Sequence, residues 1–269
     1  MQIEVIIEKK SHKLNAEEGK TILETLQEHG IHVLTAPCGG RGRCGKCTVE
    51  VEHMGEVLAC MTKVTDGMRI TIPKVQLRAQ KSKIAENGTV THYPADDGEG
   101  LDAACDIGTT TVVCHLIDGK TGEKLATVSE PSAQRSFGAD VLSRIQAAEA
   151  GKLEILKEQI IFQIAQMLRT LQKKTGRGEQ IQRLAVVGNT VMCHLFAGIS
   201  PVSIGVTPFM PQEFFGKEYT GEQLGLTDCR SVYIAPAVAG FVGGDITSDL
   251  LAVMQKNPKE KVLLLNIGT

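Results

Sequence analysis

The 269-residue sequence predicts a small α+β domain followed by an α/β lobe. Three observations carry this. The first 74 residues alternate polar and apolar positions in short runs around one helical segment. Four cysteines, Cys38, Cys44, Cys47 and Cys60, fall inside that stretch on a glycine-rich loop. Beyond residue 100, apolar runs ending in Gly-containing turns alternate with segments of helical periodicity, the pattern of an α/β unit.

Taken in order, Gln2–Glu8 alternates as a half-buried strand does, and Lys13–Asn15 reads as its hairpin partner. Thr21–His29 places apolar residues at helical spacing, and Gly30 is its stop signal. The cysteine loop follows. Thr48–Glu52, Val57–Leu58 and Met68–Ile72 then read as short strands before Pro73.

The cysteine spacing is C-x5-C-x2-C-x12-C. A [2Fe–2S] cluster needs four thiolates, three commonly on one loop and the fourth farther on. A loop wrapped that tightly needs residues tolerant of positive φ, which Gly39, Gly40, Gly42 and Gly45 supply. Arg41, Arg43 and Lys46 add positive charge where an anionic cluster would lie. A zinc site usually has two short knuckles, whereas only Cys44–Cys47 is knuckle-like. Disulfides need an oxidising compartment, and Met1–Lys10 does not read as a signal peptide. Cys105, Cys114, Cys193 and Cys229 stand singly in apolar surroundings and read as small buried hydrophobes.

Residues 75–100 are polar and rich in turn signals, and read as a linker between a domain at 1–74 and a lobe at 101–269. The lobe opens with a strand carrying Asp106, a Gly108-Thr109-Thr110 turn and a second strand ending at Asp118. Amide N–H groups at such a turn can cradle phosphate oxygens, and the adjacent Asp can hold Mg²⁺. Phe137–Ile145 and Leu153–Leu171 read as helical. Arg183–Thr190 reads as a strand ending in a Gly-Asn turn, with Asn189 or Thr190 capping the next helix. Val232–Phe241 is a further apolar run, followed by Gly243-Gly244-Asp245 and a helix through Met254. Lys261–Thr269 repeats the opening theme, Asn266-Ile-Gly268-Thr269 echoing Asp106-Ile-Gly-Thr.

Composition excludes several classes. A net charge of −2 argues against nucleic acid or an anionic membrane as partner. No apolar run approaches the roughly 20 residues that span a bilayer. Absent Trp and few aromatics disfavour a base-stacking platform. A cytoplasmic setting follows as the expectation.

Gly-x-Cys44-Gly-x-Cys47 with Leu58-Ala59-Cys60, in a hairpin, helix and strands, resembles the β-grasp [2Fe–2S] ferredoxins in a short-spaced variant. The paired strand–turn motifs at 106–110 and 266–269 resemble the acetate kinase, sugar kinase, Hsp70 and actin superfamily. Asp-Ile-Gly-Thr-Thr-Thr, Phe-Gly-Ala-Asp-Val-x-Ser-Arg-Ile, Val-Gly-Asn-Thr-x-Met-x-His-Leu and Val-Gly-Gly-Asp, behind the cysteine domain, together resemble the reductive activators of corrinoid proteins.

That resemblance implies an ATP-dependent electron-transfer protein returning a Co(II) corrinoid of a methyltransferase system to Co(I). The cluster on Cys38, Cys44, Cys47 and Cys60 would carry the electron, drawn from an upstream donor. Asp106, Gly108, Thr109 and Thr110 map onto the first phosphate loop, and Gly268-Thr269 onto the start of the second. The chain stops inside that second loop, and Asn266 stands where the family has an acidic residue. The expectation is therefore one lobe, weak ATP and Mg²⁺ binding, little hydrolysis and a tendency to self-associate as a homodimer. Two other readings remain open: a ferredoxin-type module with a non-catalytic docking lobe, and a zinc-bearing ATP-binding scaffold. His115 and His194 read as satisfied histidines, and Asp140 with Arg144 as a surface i, i+4 pair.

Overall fold

The computed structural model describes residues 1–73, 98–255, 259 and 261–266. Its contacts form two compact units: Met1–Lys83 with Ala133–Ala147, and Ile84–Ser132 with Ala148–Thr269. Most of the 75–100 linker lies outside the described residues, as do Gly268 and Thr269. Residues 133–147 follow the first strands of the lobe in sequence but pack with the cysteine-bearing unit.

The first unit holds a five-stranded sheet in the order β2-β1-β5-β3-β4. Its strands are β1 (Gln2–Ile7), β2 (Lys10–Asn15), β3 (Thr48–Val51), β4 (Gly55–Leu58) and β5 (Arg69–Thr71). β1 and β2 pair Ile7 with Lys10 across a two-residue turn in which Glu8 and Lys9 have φ of 47° and 70°. Positive φ at both turn residues matches the twist of a tight hairpin, which is why these side chains tolerate it. β1 runs parallel to β5, with Val5 opposite Ile70.

Helix α1 (Ile22–Glu28) lies in the same core. Thr21 accepts from the Glu24 amide while the Glu24 carboxylate accepts from the Thr21 amide, a capping box. Ile22 and Leu26 are fully buried with Ile3, Val5, Val49 and Ile70. Roughly 1.5–3 kcal/mol per such side chain drives this assembly. Cys47 and Cys60 belong to the same cluster, so the core anchors half of the cysteine set.

The second unit has a six-stranded sheet ordered β10-β11-β9-β6-β7-β8. Here β6 is Leu101–Ile107, β7 Thr111–Asp118, β8 Lys124–Pro131, β9 Ile181–Val187, β10 Lys217–Thr220 and β11 Cys229–Ile234. β6, β7 and β8 form an antiparallel meander, while β6, β9 and β11 run parallel. The parallel centre needs crossovers, supplied by α3 (Leu153–Thr175) and α4 (Thr190–Ala197) among the helices. α3 buries Leu156, Ile160, Ile164, Met167, Leu168 and Leu171. Cys105, Cys114, Cys193 and Cys229 are all buried, as small hydrophobes are. Short α5 (Gly221–Leu224) precedes β11, and α6 (Gly244–Gln255) follows it.

Three expectations fall differently. The 261–265 run is no strand: residues 261–266 carry no regular structure, and Leu263 is 90% exposed. A strand exists only when a neighbour satisfies its N–H and C=O groups, and apolar sequence does not supply that neighbour. Phe137–Ile145 is two pieces, a 3-10 turn at Ala133–Phe137 and helix α2 at Val141–Ala147. Asp140 and Arg144 are no surface pair. The Asp140 carboxylate accepts from Ser143 N and Oγ, while the Arg144 side chain is fully buried. No helix among the described residues is long and apolar enough to cross a membrane.

Candidate metal centre and phosphate turn

The core of the first unit places the cysteines. Leu23 N donates to Ala59 O at 3.0 Å, pinning the start of α1 to the residue before Cys60. Ala59 N in turn donates to Cys47 O at 2.9 Å. Cys47 and Cys60 are thereby buried side by side, and Cys60 feels the Cys47 thiol as a close neighbour. The other two sit on the loop itself, where the Cys44 thiol approaches Cys38 Sγ at 3.4 Å.

Two pairs result: Cys38 with Cys44, and Cys47 with Cys60. Two pairs suit two irons, each taking two protein sulfurs, better than one tetrahedral zinc. The loop conformation supports this. Gly40 and Gly42 have φ of 81° and 69°, turning the chain so that its amides face inward.

The electrostatics follow from that wrapping. Burial works against ionising Cys38, but hydrogen bonds from the Cys44, Arg43 and Arg41 backbones, with the Cys44 thiol, bring it down to about 6. A thiolate ready at neutral pH is the form that binds metal. Cys60 is pushed up to about 11, by burial first and then by Cys47, although the Gly42 amide opposes this. Removing a proton there calls for a cationic partner. The donor set and its amide cradle fit a [2Fe–2S] cluster.

The second unit assembles another site at the ends of β6 and β9. Gly108 begins the turn after β6; a Cβ there would lie 2.6 Å from Thr111 O, so only glycine fits. Asn189 caps α4 by accepting from Met192 N at 3.0 Å, and its Nδ2 donates to Thr109 Oγ1 at 3.0 Å. Thr190 Oγ1 donates to Ala239 O at 2.6 Å, drawing the loop before α6 onto the same place. Gly243 lies so close that a Cβ would come within 2.5 Å of Thr190 N.

Asp245 N donates to Gly188 O at 3.1 Å, bringing α6 to the turn. Asp106 itself is exposed to solvent. Desolvation by the surrounding protein, then Asp245 and Asp249, pushes its carboxyl up to about 6. Asn266 Nδ2 donates to Asp249 Oδ2 at 2.8 Å. A divalent cation would relieve this carboxylate crowding, and the glycine-lined amides nearby suit phosphate oxygens.

The structure thus brings Asp106, Gly108 and Thr109 beside Asn189, Gly243 and Asp245. Asp249 was legible as the i+4 partner of Asp245 on one helix face but stood out in no motif. His194 is satisfied in the core, its Nδ1 facing Thr190 O at 2.8 Å and its Nε2 accepting from Glu213 N at 3.3 Å. His115 Nδ1 meets Thr127 Oγ1 at 2.8 Å.

Residues 4–74 match the model of a 2Fe-2S iron-sulfur cluster binding domain. The curated corrinoid activation enzyme RamQ of Eubacterium limosum is 26% identical, and the match covers 88% of this chain and 53% of the relative. A solved reductive activator for corrinoid, iron-sulfur protein superposes with a TM-score of 0.57 at 24% identity, covering 96% of this chain and 59% of that one. That likeness is one of fold, a β-grasp iron–sulfur domain followed by a mixed-sheet α/β lobe. The chain spans about half the length of the curated relative it matches. Residues 101–257, more than half of the chain, match the RACo middle region. With a [2Fe–2S] domain ahead of that region, the chain belongs to the family of the RACo middle region.

Proposed function

We propose that this chain carries single electrons through a [2Fe–2S] cluster held by Cys38, Cys44, Cys47 and Cys60, for the reductive activation of a corrinoid protein in the cytoplasm. The observation that carries the reading is the two-by-two thiol arrangement in an amide-lined loop. The cluster supplies one-electron chemistry, and Co(II) to Co(I) takes one electron, supplied upstream by a low-potential donor. Cys38, Cys44, Cys47 and Cys60 provide four thiolates, while backbone amides around Cys38 offset the negative charge. Exposed Arg41 and Arg43 leave a cationic rim suited to an acidic partner face.

The same reading places a nucleotide with Mg²⁺ at the Asp106–Thr110 turn. Asp106, with Asp245 near it, would face the metal, and Thr109, Thr110 and Gly108 the phosphates. Asn189 holds Thr109 in position. Gly268 and Thr269 are proposed as the start of a second phosphate loop.

Anaerobically purified chain should contain about two irons and show a red-brown spectrum bleached by dithionite. Cys38→Ser or Cys60→Ser should abolish both, and Cys105→Ser should not. Co(II) reduction in a candidate corrinoid protein should respond to ATP. Colourless, zinc-loaded protein would sink the reading, and ATP-independent reduction would leave a plain electron carrier.

A further inference from the structure

Residues 133–147 lie in sequence within the matched middle region, yet they pack as part of the iron–sulfur unit. Their contacts are specific. Ala139 N donates to Pro37 O at 3.2 Å, one residue before Cys38. Gln27 Nε2, from α1, donates to Ser136 O at 2.9 Å in a buried bond. The Phe137 ring lies 6.4 Å from that of His32, which precedes the loop. Gly39, next to Cys38, sits where a Cβ would be 3.6 Å from Phe137 O and 3.7 Å from Ser143 Cβ. The segment therefore touches the cysteine loop at its first corner and α1 behind it.

Inside this segment is a buried cation. Arg144 is 0% exposed; its Nε donates to Gly138 O and its Nη1 to Gln134 Oε1, both at 3.4 Å. Burial pulls its pKa down, Asp140 opposes this and Arg135 adds to it, leaving it at about 9. The guanidinium thus stays protonated at neutral pH. Burying a charge costs several kcal/mol, so a side chain kept this way has a structural or electrostatic task.

We propose that residues 133–147 clamp the Pro37–Gly39 corner of the cluster loop and that Arg144 is a positioning residue whose fixed charge raises the cluster's reduction potential. This rests on the reading that Cys38, Cys44, Cys47 and Cys60 hold the cluster. A reduced cluster carries one more negative charge than an oxidised one. A fixed cation held on Gly138 O, next to the Ala139 that bonds Pro37 O, and in a medium less polar than water, favours the reduced form.

The test is optical redox titration of the full chain, with iron content measured on the same samples. Arg144→Gln should retain its iron and spectrum but shift the one-electron equilibrium towards the oxidised form by about tenfold, about 59 mV more negative. Arg144→Lys keeps the charge and should restore most of that shift. An unchanged potential in iron-replete Arg144→Gln overturns the proposal, as does an equal shift in Arg144→Lys. If Arg144→Gln loses its cluster, Gln27→Leu decides. That variant removes only the buried bond to Ser136 O, and a smaller shift in the same direction supports the clamp while no shift overturns it. Failure of the wild-type chain to hold iron would instead refute the ligand assignment.

Discussion

Asn189 joins Thr109 across the parallel strands β6 and β9: its Nδ2 donates to Thr109 Oγ1 while its Oδ1 caps α4 through Met192 N. One side chain therefore ties a helix start to the candidate phosphate turn. The cap needs an acceptor at position 189, whereas the Thr109 hydroxyl can meet either a donor or a carboxylate there, so an Asp variant keeps the cap and adds a negative charge beside Asp106.

Asn189→Ala should lose both roles, lowering stability by about 1 kcal/mol. Asn189→Asp keeps the acceptor and should unfold near the wild-type midpoint, yet bind ATP with Mg²⁺ at least as weakly as the alanine variant. Denaturant unfolding and calorimetric titration read the two effects separately. Equal nucleotide affinity in all three proteins would remove Asn189 from the site.

The acidic turn should titrate. The Asp106 carboxyl is raised from 3.8 to about 6, so the folded chain holds this proton more tightly than the unfolded one. The stability it contributes is present below pH 3.8 and lost as pH rises through about 6. Cation binding has the opposite sense, because Mg²⁺ must displace the proton. Its affinity should fall about tenfold between pH 7 and pH 5 through this group, and Asp106→Asn should flatten that dependence. Magnesium titrations at several pH values provide the check.

Gly243→Ala should disturb the same place from the other side. The new Cβ would sit 2.5 Å from Thr190 N and 2.6 Å from Asn189 Cα, and backbone does not yield as a flexible side chain does. Overpacking of this kind costs about 1–3 kcal/mol. Nucleotide affinity should fall severalfold, whereas iron content should stay unchanged.

Gly40→Ala tests the cysteine loop. Space is not the obstacle, since a Cβ would meet Leu23 Cδ2 at 3.6 Å and Cys60 Cβ at 3.8 Å. The obstacle is φ of 81°, which costs an L-residue about 1–2 kcal/mol. The variant should lose iron faster to a chelator than wild type, and Gly40→Asn should lie between them. Bleaching rates in the visible spectrum measure this.

Much of this molecule was legible in its residues because the relevant physics is local. Helical spacing over Thr21–His29 with Gly30 as its stop announces α1, and the apolar run before Gly108 announces the strand Leu101–Ile107. Gly39, Gly40, Gly42 and Gly45 do adopt the positive φ that a wrapped cysteine loop demands. Asp106, Gly108 and Thr109 could be picked out because a strand–turn motif keeps its chemistry within five residues.

Other features needed distance in sequence to become nearness in space. The apolar run at 261–265 looks like a strand by composition, yet pairing depends on a neighbour that no local pattern encodes. Asp140 and Arg144 sit at helical spacing, but burial in the cysteine-bearing unit turned the guanidinium inward to Gly138 and Gln134. Asp249 matters at the turn only because α6 is carried there by Gly243, Gly244 and the Asp245–Gly188 bond.

The amino-acid sequence by itself determined the chemistry on offer: four thiols on a glycine-rich loop and an acidic residue before a Gly-Thr-Thr turn. Only the tertiary structure decided how they meet. It paired the thiols two by two, set Asn189 and Asp245 beside Asp106, and packed residues 133–147 against the cysteine loop. Backbone torsions and turns are chosen by a residue and its neighbours. Burial and electrostatic coupling are chosen by whatever else the fold brings within a few ångströms.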